Sequence, residues 1–194
     1  YVNFPSRYSD WYKKIKNKII EIAKNNYLTI TVSGGNIGLA CNASHYIDLV
    51  YFWTNELPIK VDTSNLGMWH ESKRKGFYDL HGNLKIHFNN HILELISYEN
   101  SQEWIIQIFN SNMKFIASID ISKGIAVFYD DEKIEGEIKL QSDSTNILYQ
   151  QIVSNDLNIC KLNIAIEEYE LLLKALITNW NNHKNENIHK IMIT

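Results

Sequence analysis

The chain is poor in the residues that mark the most easily read functions. Its 194 residues include only two cysteines, two prolines and eight glycines. Cys41 and Cys160 stand alone, with no CxxC, so neither a disulfide framework nor a cysteine-rich zinc module is indicated. Both are expected to be small buried thiols in apolar surroundings, in a protein of the reducing cytoplasm. No run approaches the roughly 18 apolar residues of a membrane helix, and no secretory leader is expected. GxGxxG, GxxxxGK[ST] and GxSxG do not occur. Their absence removes the usual signals for phosphate cradles and serine nucleophile elbows.

What is present is apolar patterning. Hydrophobic residues make up 45% and aromatics 12% of the chain, the composition of a folded globular protein. In residues 84–98, LKIHF-NN-HILELISY, two alternating runs flank Asn89-Asn90, and Asn tolerates the positive φ of a tight hairpin turn. The turn pairs Phe88 with His91, His87 with Ile92, Ile86 with Leu93, Lys85 with Glu94 and Leu84 with Leu95. One face then holds Leu84, Ile86, Phe88, Leu93 and Leu95, and the other a Lys–Glu pair.

Period-2 alternation continues through Trp104, Ile106 and Ile108, then Phe115, Ala117, Ile119 and Ile121, and onward through 125–129 and 133–140. Short polar turns join these runs, so 77–140 reads as one antiparallel meander. A helix capped by Ser9 is expected to run to about residue 26, burying Trp11, Ile15, Ile19, Ile22 and Ala23. Strands are expected over 27–32, 37–41 and 46–53, making 1–56 a helix-plus-hairpin lobe. Residues 57–76 read as a long loop. Residues 145–153 suit either a helix or an edge strand. A last helix, capped by Asn163, spans about 164–180, and the 181–194 tail offers Ile188, Ile191 and Ile193 as docking points. The expected fold is a single α+β domain over 1–194, a large antiparallel sheet packed against N- and C-terminal helices, with 141–194 mainly helical.

The candidate chemistry is sparse. His87 and His91 have zinc spacing on a helix, but the hairpin register sends them to opposite faces, so no metal site is expected there. Ser33-Gly34-Gly35-Asn36-Ile37-Gly38 follows a strand, but with another strand expected next it reads as a hairpin turn rather than a phosphate loop. Asp120 with Glu137-Ile138-Lys139 places two carboxylates and a lysine on sheet strands. At these residues the chain resembles the PD-(D/E)xK nucleases, although Ile119 stands where that family has proline. The resemblance covers one hairpin and implies a Mg²⁺-dependent nuclease site at Asp120, Glu137 and Lys139.

Charge is segregated. Residues 1–30 carry six basic side chains against two acidic, and 130–170 carry ten acidic against three basic, within a net charge of −3. The acidic stretch suits a basic protein partner. On this ground the expected function is non-enzymatic, that of an inhibitor or immunity-type protein neutralising a toxin or nuclease. Its contacts would be Asp130, Asp131, Glu132, Glu135 and Glu137, with no cofactor. A further alternative is nucleic-acid binding by the basic first helix and by Lys73, Arg74 and Lys75 beside Trp69.

Overall fold

Alternating strands and apolar helix stripes form the local elements, and one long-range insertion decides how they assemble. The computed structural model describes residues 1–23, 26–100, 102–136, 141–154 and 159–193. A 3₁₀ turn (Pro5–Arg7) leads into α1 (Asp10–Ala23), β1 (Leu28–Gly35) and α2 (Leu39–Thr54). Then follow β2 (Lys60–Leu66), β3 (His70–Glu71), β4 (Tyr78–Asp79), β5 (Gly82–His87) and β6 (His91–Tyr98). After them come β7 (Ile105–Asn110), β8 (Phe115–Asp120), β9 (Ile125–Phe128), β10 (Lys133–Glu135), α3 (Gln141–Val153) and α4 (Leu162–Lys184).

Eight strands form one sheet in the order β10-β9-β8-β7-β1-β6-β5-β2, while β3 and β4 make a separate two-stranded ribbon. The β5–β6 hairpin has the register set by its Asn-Asn turn, with Lys85 opposite Glu94 and Leu84 opposite Leu95. The expected all-antiparallel meander is nevertheless incorrect. β1 inserts between β6 and β7, running parallel to β6 (Leu28 opposite His91, Val32 opposite Leu95) and antiparallel to β7. The sheet is therefore mixed. A meander reading assumes that sequential strands pair, and local periodicity does not report a strand arriving from sixty residues away.

The strands expected over 37–41 and 46–53 are one helix, α2. Eleven of its sixteen residues are buried, among them Leu39, Ala43, Ile47, Val50 and Trp53. Apolar on most sides, such a helix reads locally as short buried strands. The 57–76 stretch contains β2 and β3, and 141–153 is helical. Between β7 and β8 the register shifts at Ile108/Phe109, leaving Ile116 of β8 as the extra residue. Ile116 turns into the core, and Phe115 moves out to meet Phe109 edge-on at 6.2 Å.

Leu28, Ile30, Val32, Leu84, Ile86, Leu93, Leu95, Ile106, Ile108 and Ile119 lie on the covered face of the sheet with at most 1% exposure. Each such side chain contributes about 1.5–3 kcal/mol of burial free energy. α1 packs on α2 and β10, and α4 on α2 and β2. Ile188, Ile191 and Ile193 of the tail pack against this core, and Ile193 bridges to Tyr78. Among the described residues, no helix is long and apolar enough to cross a membrane.

Candidate functional site

In a sheet with a parallel pair, the carboxyl ends of those strands and the helix that follows form a natural crevice. Here β1 ends at Gly34-Gly35 and β6 at Ser97-Tyr98. The chain leaving β1 is held to the end of β6: Asn36 N–H donates to the Tyr98 carbonyl (2.9 Å), and Ile37 N–H to Ser97 Oγ (3.1 Å). Asn36 and Gly38 adopt positive φ to make the turn into α2. The first turn of α2 then meets the β3–β4 ribbon, where Ala40 N–H donates to Asp79 Oδ1 at 3.0 Å.

A cavity of about 630 Å³ opens at this junction, lined by Asn36, His70, Glu71, Ser72, Lys73, Arg74, Asp79 and His81. The imidazoles of His70 and His81 stack with centroids 4.5 Å apart and planes at 14°. His81 Nδ1 lies 3.2 Å from Ser97 Oγ, the hydroxyl that already accepts from Ile37, so ligand chemistry at this ring falls to Nε2. A second recess of about 430 Å³ shares both histidines and adds Trp69 and Glu99. Behind the ribbon, Tyr78 packs edge-on against Trp180 (4.8 Å), and its N–H donates to the Met192 carbonyl (2.8 Å), so the C-terminal tail buttresses this wall. Cys41, half-buried on α2, faces the same region; burial, and then the Asp79 charge, push its thiol up.

Another cavity, of about 790 Å³, lies at the opposite, amino-terminal end of the parallel pair, beside Arg7, Lys16, Tyr27, Phe52 and His91. Its histidine is structural. His91 is 4% exposed, its Nδ1 accepts from Leu28 N–H (3.3 Å), and burial lowers its pKa. The carboxyl-end crevice, with two histidines and two carboxylates converging, is the better-equipped site.

The acidic residues expected from sequence lie elsewhere. Asp130 and Glu132 are ion-paired within the chain to Lys18 Nζ at 2.9 and 2.6 Å, Asp131 sits in the β9–β10 turn at φ 61°, and Glu135 pairs with Lys133. Asp120 accepts from Lys123 Nζ (2.7 Å), Ser122 Oγ (2.6 Å) and Lys123 N–H (3.0 Å). The Lys123 bond, followed by that from Ser122, brings its pKa down to about 2. Glu137 and Lys139 lie outside the described residues. Of the basic loop, Lys73 and Arg74 stand at the crevice rim, and Arg74 covers the Phe77 ring at 5.2 Å. Among the basic residues of α1, Lys16 covers Phe52 and Lys18 is taken by the acidic turn.

Sequence reasoning passed over Asn36, Asp79, His70 and His81 as a set. Recurrence of Leu39, Ala43, Ile47, Val50 and Trp53 at helical spacing was the available signal, because a helix after Gly35 turns the glycine loop into a strand–helix crevice. Cys160 is buried in a small apolar cluster with Phe4 and Ala165, as expected, but the carboxyl groups of Asp48 and Glu168 also lie beside it.

No family model and no curated protein match this sequence. Solved structures do match. A dehydrogenase from Clostridium difficile superposes with TM-score 0.56 at 14% identity, covering 91% of this chain and 61% of its own. UDP-N-acetylglucosamine 3-dehydrogenase from Acidithiobacillus ferrooxidans gives 0.53 at 14%, covering 83% and 55%. A Gfo/Idh/MocA family oxidoreductase from Vibrio cholerae gives 0.53 at 10%, covering 96% and 63%. The fold is shared with oxidoreductases. This chain spans less than two thirds of the length of each of these three.

The likeness corrects the functional expectation. An inhibitor or immunity-type protein was inferred from an acidic surface and an empty motif search; the fold is instead one found in oxidoreductases, and part of that acidic surface is neutralised by Lys18. Nor does the glycine turn fit the pyrophosphate of a nicotinamide dinucleotide. A Cβ on Gly34 would sit 2.3 Å from Trp104 Cδ1, so this glycine admits an indole, and Asp79 already meets the α2 N-terminus where an anion would dock.

Proposed function

We propose that this chain is the substrate-binding portion of a dehydrogenase-type oxidoreductase, with the His70–His81 crevice holding a hydroxyl-rich, negatively charged substrate. One observation carries the reading: polar groups converge at the carboxyl end of the parallel β1–β6 pair, in a fold shared with oxidoreductases. Asn36 and Asp79 supply an amide and a carboxylate suited to sugar hydroxyls. Lys73 and Arg74 at the rim suit phosphate oxygens. His81, braced by Ser97, is positioned to take or give a proton at a substrate hydroxyl. A nicotinamide cofactor, which the glycine turn does not accommodate, would be held by a part of the protein beyond these 194 residues. Support for that division comes from the neighbours' greater length.

Titration with UDP-N-acetylglucosamine, following the histidine ring signals by NMR, tests the reading. Saturable shifts at His70 and His81, weakened at least tenfold by His81→Ala and by combined Lys73→Ala/Arg74→Ala, are expected. NADH added to this chain alone should produce no change. Shifts confined to His91 and His183, or none with sugar nucleotides and simple polyols, would refute the assignment.

A further inference from the structure

Asp48 of α2, Cys160 just before α4 and Glu168 of α4 offer three ligand atoms that all lie within 4.8 Å of one another, and all three residues are buried. Among the described residues this is the one place where three such groups converge. Arg7 accounts for Asp48 alone: its Nε donates to Oδ1 and Oδ2 (2.9 and 3.1 Å) and its terminal nitrogen to Oδ1 (2.6 Å). Glu168 differs. Its side chain is 2% exposed, neither oxygen has a hydrogen-bond partner among the described residues, and Arg7 stands off at 3.9 Å. A buried carboxyl aimed into a polar cluster and left without a partner is costly unless something else meets it.

We infer that Asp48, Cys160 and Glu168 form a binding site for a thiophilic divalent cation, Zn²⁺ being the ion that best suits the donors. A thiolate with two carboxylates is a mixed soft and hard set, which favours zinc over calcium or magnesium. The donor spacing is within a side-chain adjustment of the roughly 3.3–3.7 Å edges of a tetrahedron with ligand bonds of about 2.0–2.3 Å. A carboxylate has about four lone-pair positions, so Arg7 and a cation are able to share Asp48. Cys160 binds as the thiolate and releases its proton to solvent, and water completes the fourth position. The charges then balance: one guanidinium and one dication against two carboxylates and one thiolate. The site clips α2 to the start of α4. It also fixes the N-terminal segment, whose Val2 N–H donates to the Cys160 carbonyl at 2.9 Å. This inference is independent of the oxidoreductase reading.

The test uses the full chain stripped of metal, titrated with Co²⁺ and with Zn²⁺. Expected are one equivalent bound, a thiolate-to-cobalt charge-transfer band displaced by Zn²⁺, and a Tm that rises with free Zn²⁺. With only two cysteines in the chain, Cys41→Ser should leave the band intact, which assigns it to Cys160 without disturbing the buried cluster. Glu168→Gln should weaken binding at least tenfold while circular dichroism stays native. A folded chain that binds no stoichiometric metal, a band lost in Cys41→Ser, or binding undiminished in Glu168→Gln would each overturn the proposal.

Discussion

Asp79 on β4 accepts a hydrogen bond from the backbone N–H of Ala40 at 3.0 Å, joining the two-stranded ribbon to the first turn of α2. The bond satisfies one of the donors that every helix N-terminus leaves unpaired, and it places a negative charge at the positive end of the helix dipole. It also holds the ribbon carrying His70 against the end of β1, so the shape of the crevice depends on it.

Asp79→Ala should therefore cost about 1 kcal/mol, the usual value of a lost N-terminal acceptor. Asp79→Asn, which keeps the acceptor and loses the charge, should cost about half as much. Urea midpoints of the three proteins measure this. Equal stability of all three would mean that the bond contributes nothing.

Trp104 occupies the space beside Gly34, and its Nε1 donates to the Gly35 carbonyl at 2.9 Å. Gly34→Ala should be destabilising by about 1–3 kcal/mol through overpacking. Trp104→Leu makes room, so the double variant should be less damaged than the sum of the two singles. Strict additivity in a thermodynamic cycle would contradict the contact.

Burial, reinforced by the neighbouring Asp48 charge, pushes the Glu168 carboxyl up to about 8 from 4.5, with Arg7 opposing. Asp48 is raised by its own burial, also against Arg7. With a raised folded-state pKa, the native protein keeps a proton on Glu168 that the unfolded chain releases. Stability in metal-free buffer is then fully present below pH 4.5, falls as pH rises, and levels off above about 8. The loss should reach a few kcal/mol. Glu168→Gln should flatten the pH 5–8 profile. A wild-type profile that rises over this range would show that Glu168 is ionised in the folded protein.

Ile106 on β7 is fully buried, and Gln107, its neighbour along the strand, lies on the opposite face. Ile106→Asp should cost several kcal/mol and sharply reduce soluble yield, whereas Gln107→Thr should change stability by less than about 0.5 kcal/mol. Soluble yield and thermal melts of both variants check this alternation.

Where neighbours in sequence are neighbours in space, this chain is legible without its structure. The Asn89-Asn90 turn and the alternation around it dictate the β5–β6 register, and the Trp11, Ile15, Ile19 spacing dictates the buried side of α1. Tertiary structure decided the rest. Insertion of β1 between β6 and β7 pairs Val32 with Leu95 and with Ile106, contacts that no local period encodes. It also turns a glycine-rich bend into the carboxyl end of a parallel pair. The α2 residues were ambiguous because a helix buried on most sides lacks the polar face that gives helical periodicity its contrast. His70, Asp79 and His81 became one site only when the ribbon docked on α2. Arg7, Asp48, Cys160 and Glu168, spread over 160 residues, became neighbours only when the N-terminal turn, α2 and α4 packed together. Side-chain periodicity reports which face of an element is buried. Which element covers it is settled by long-range packing, and in this protein the candidate sites lie at those contacts.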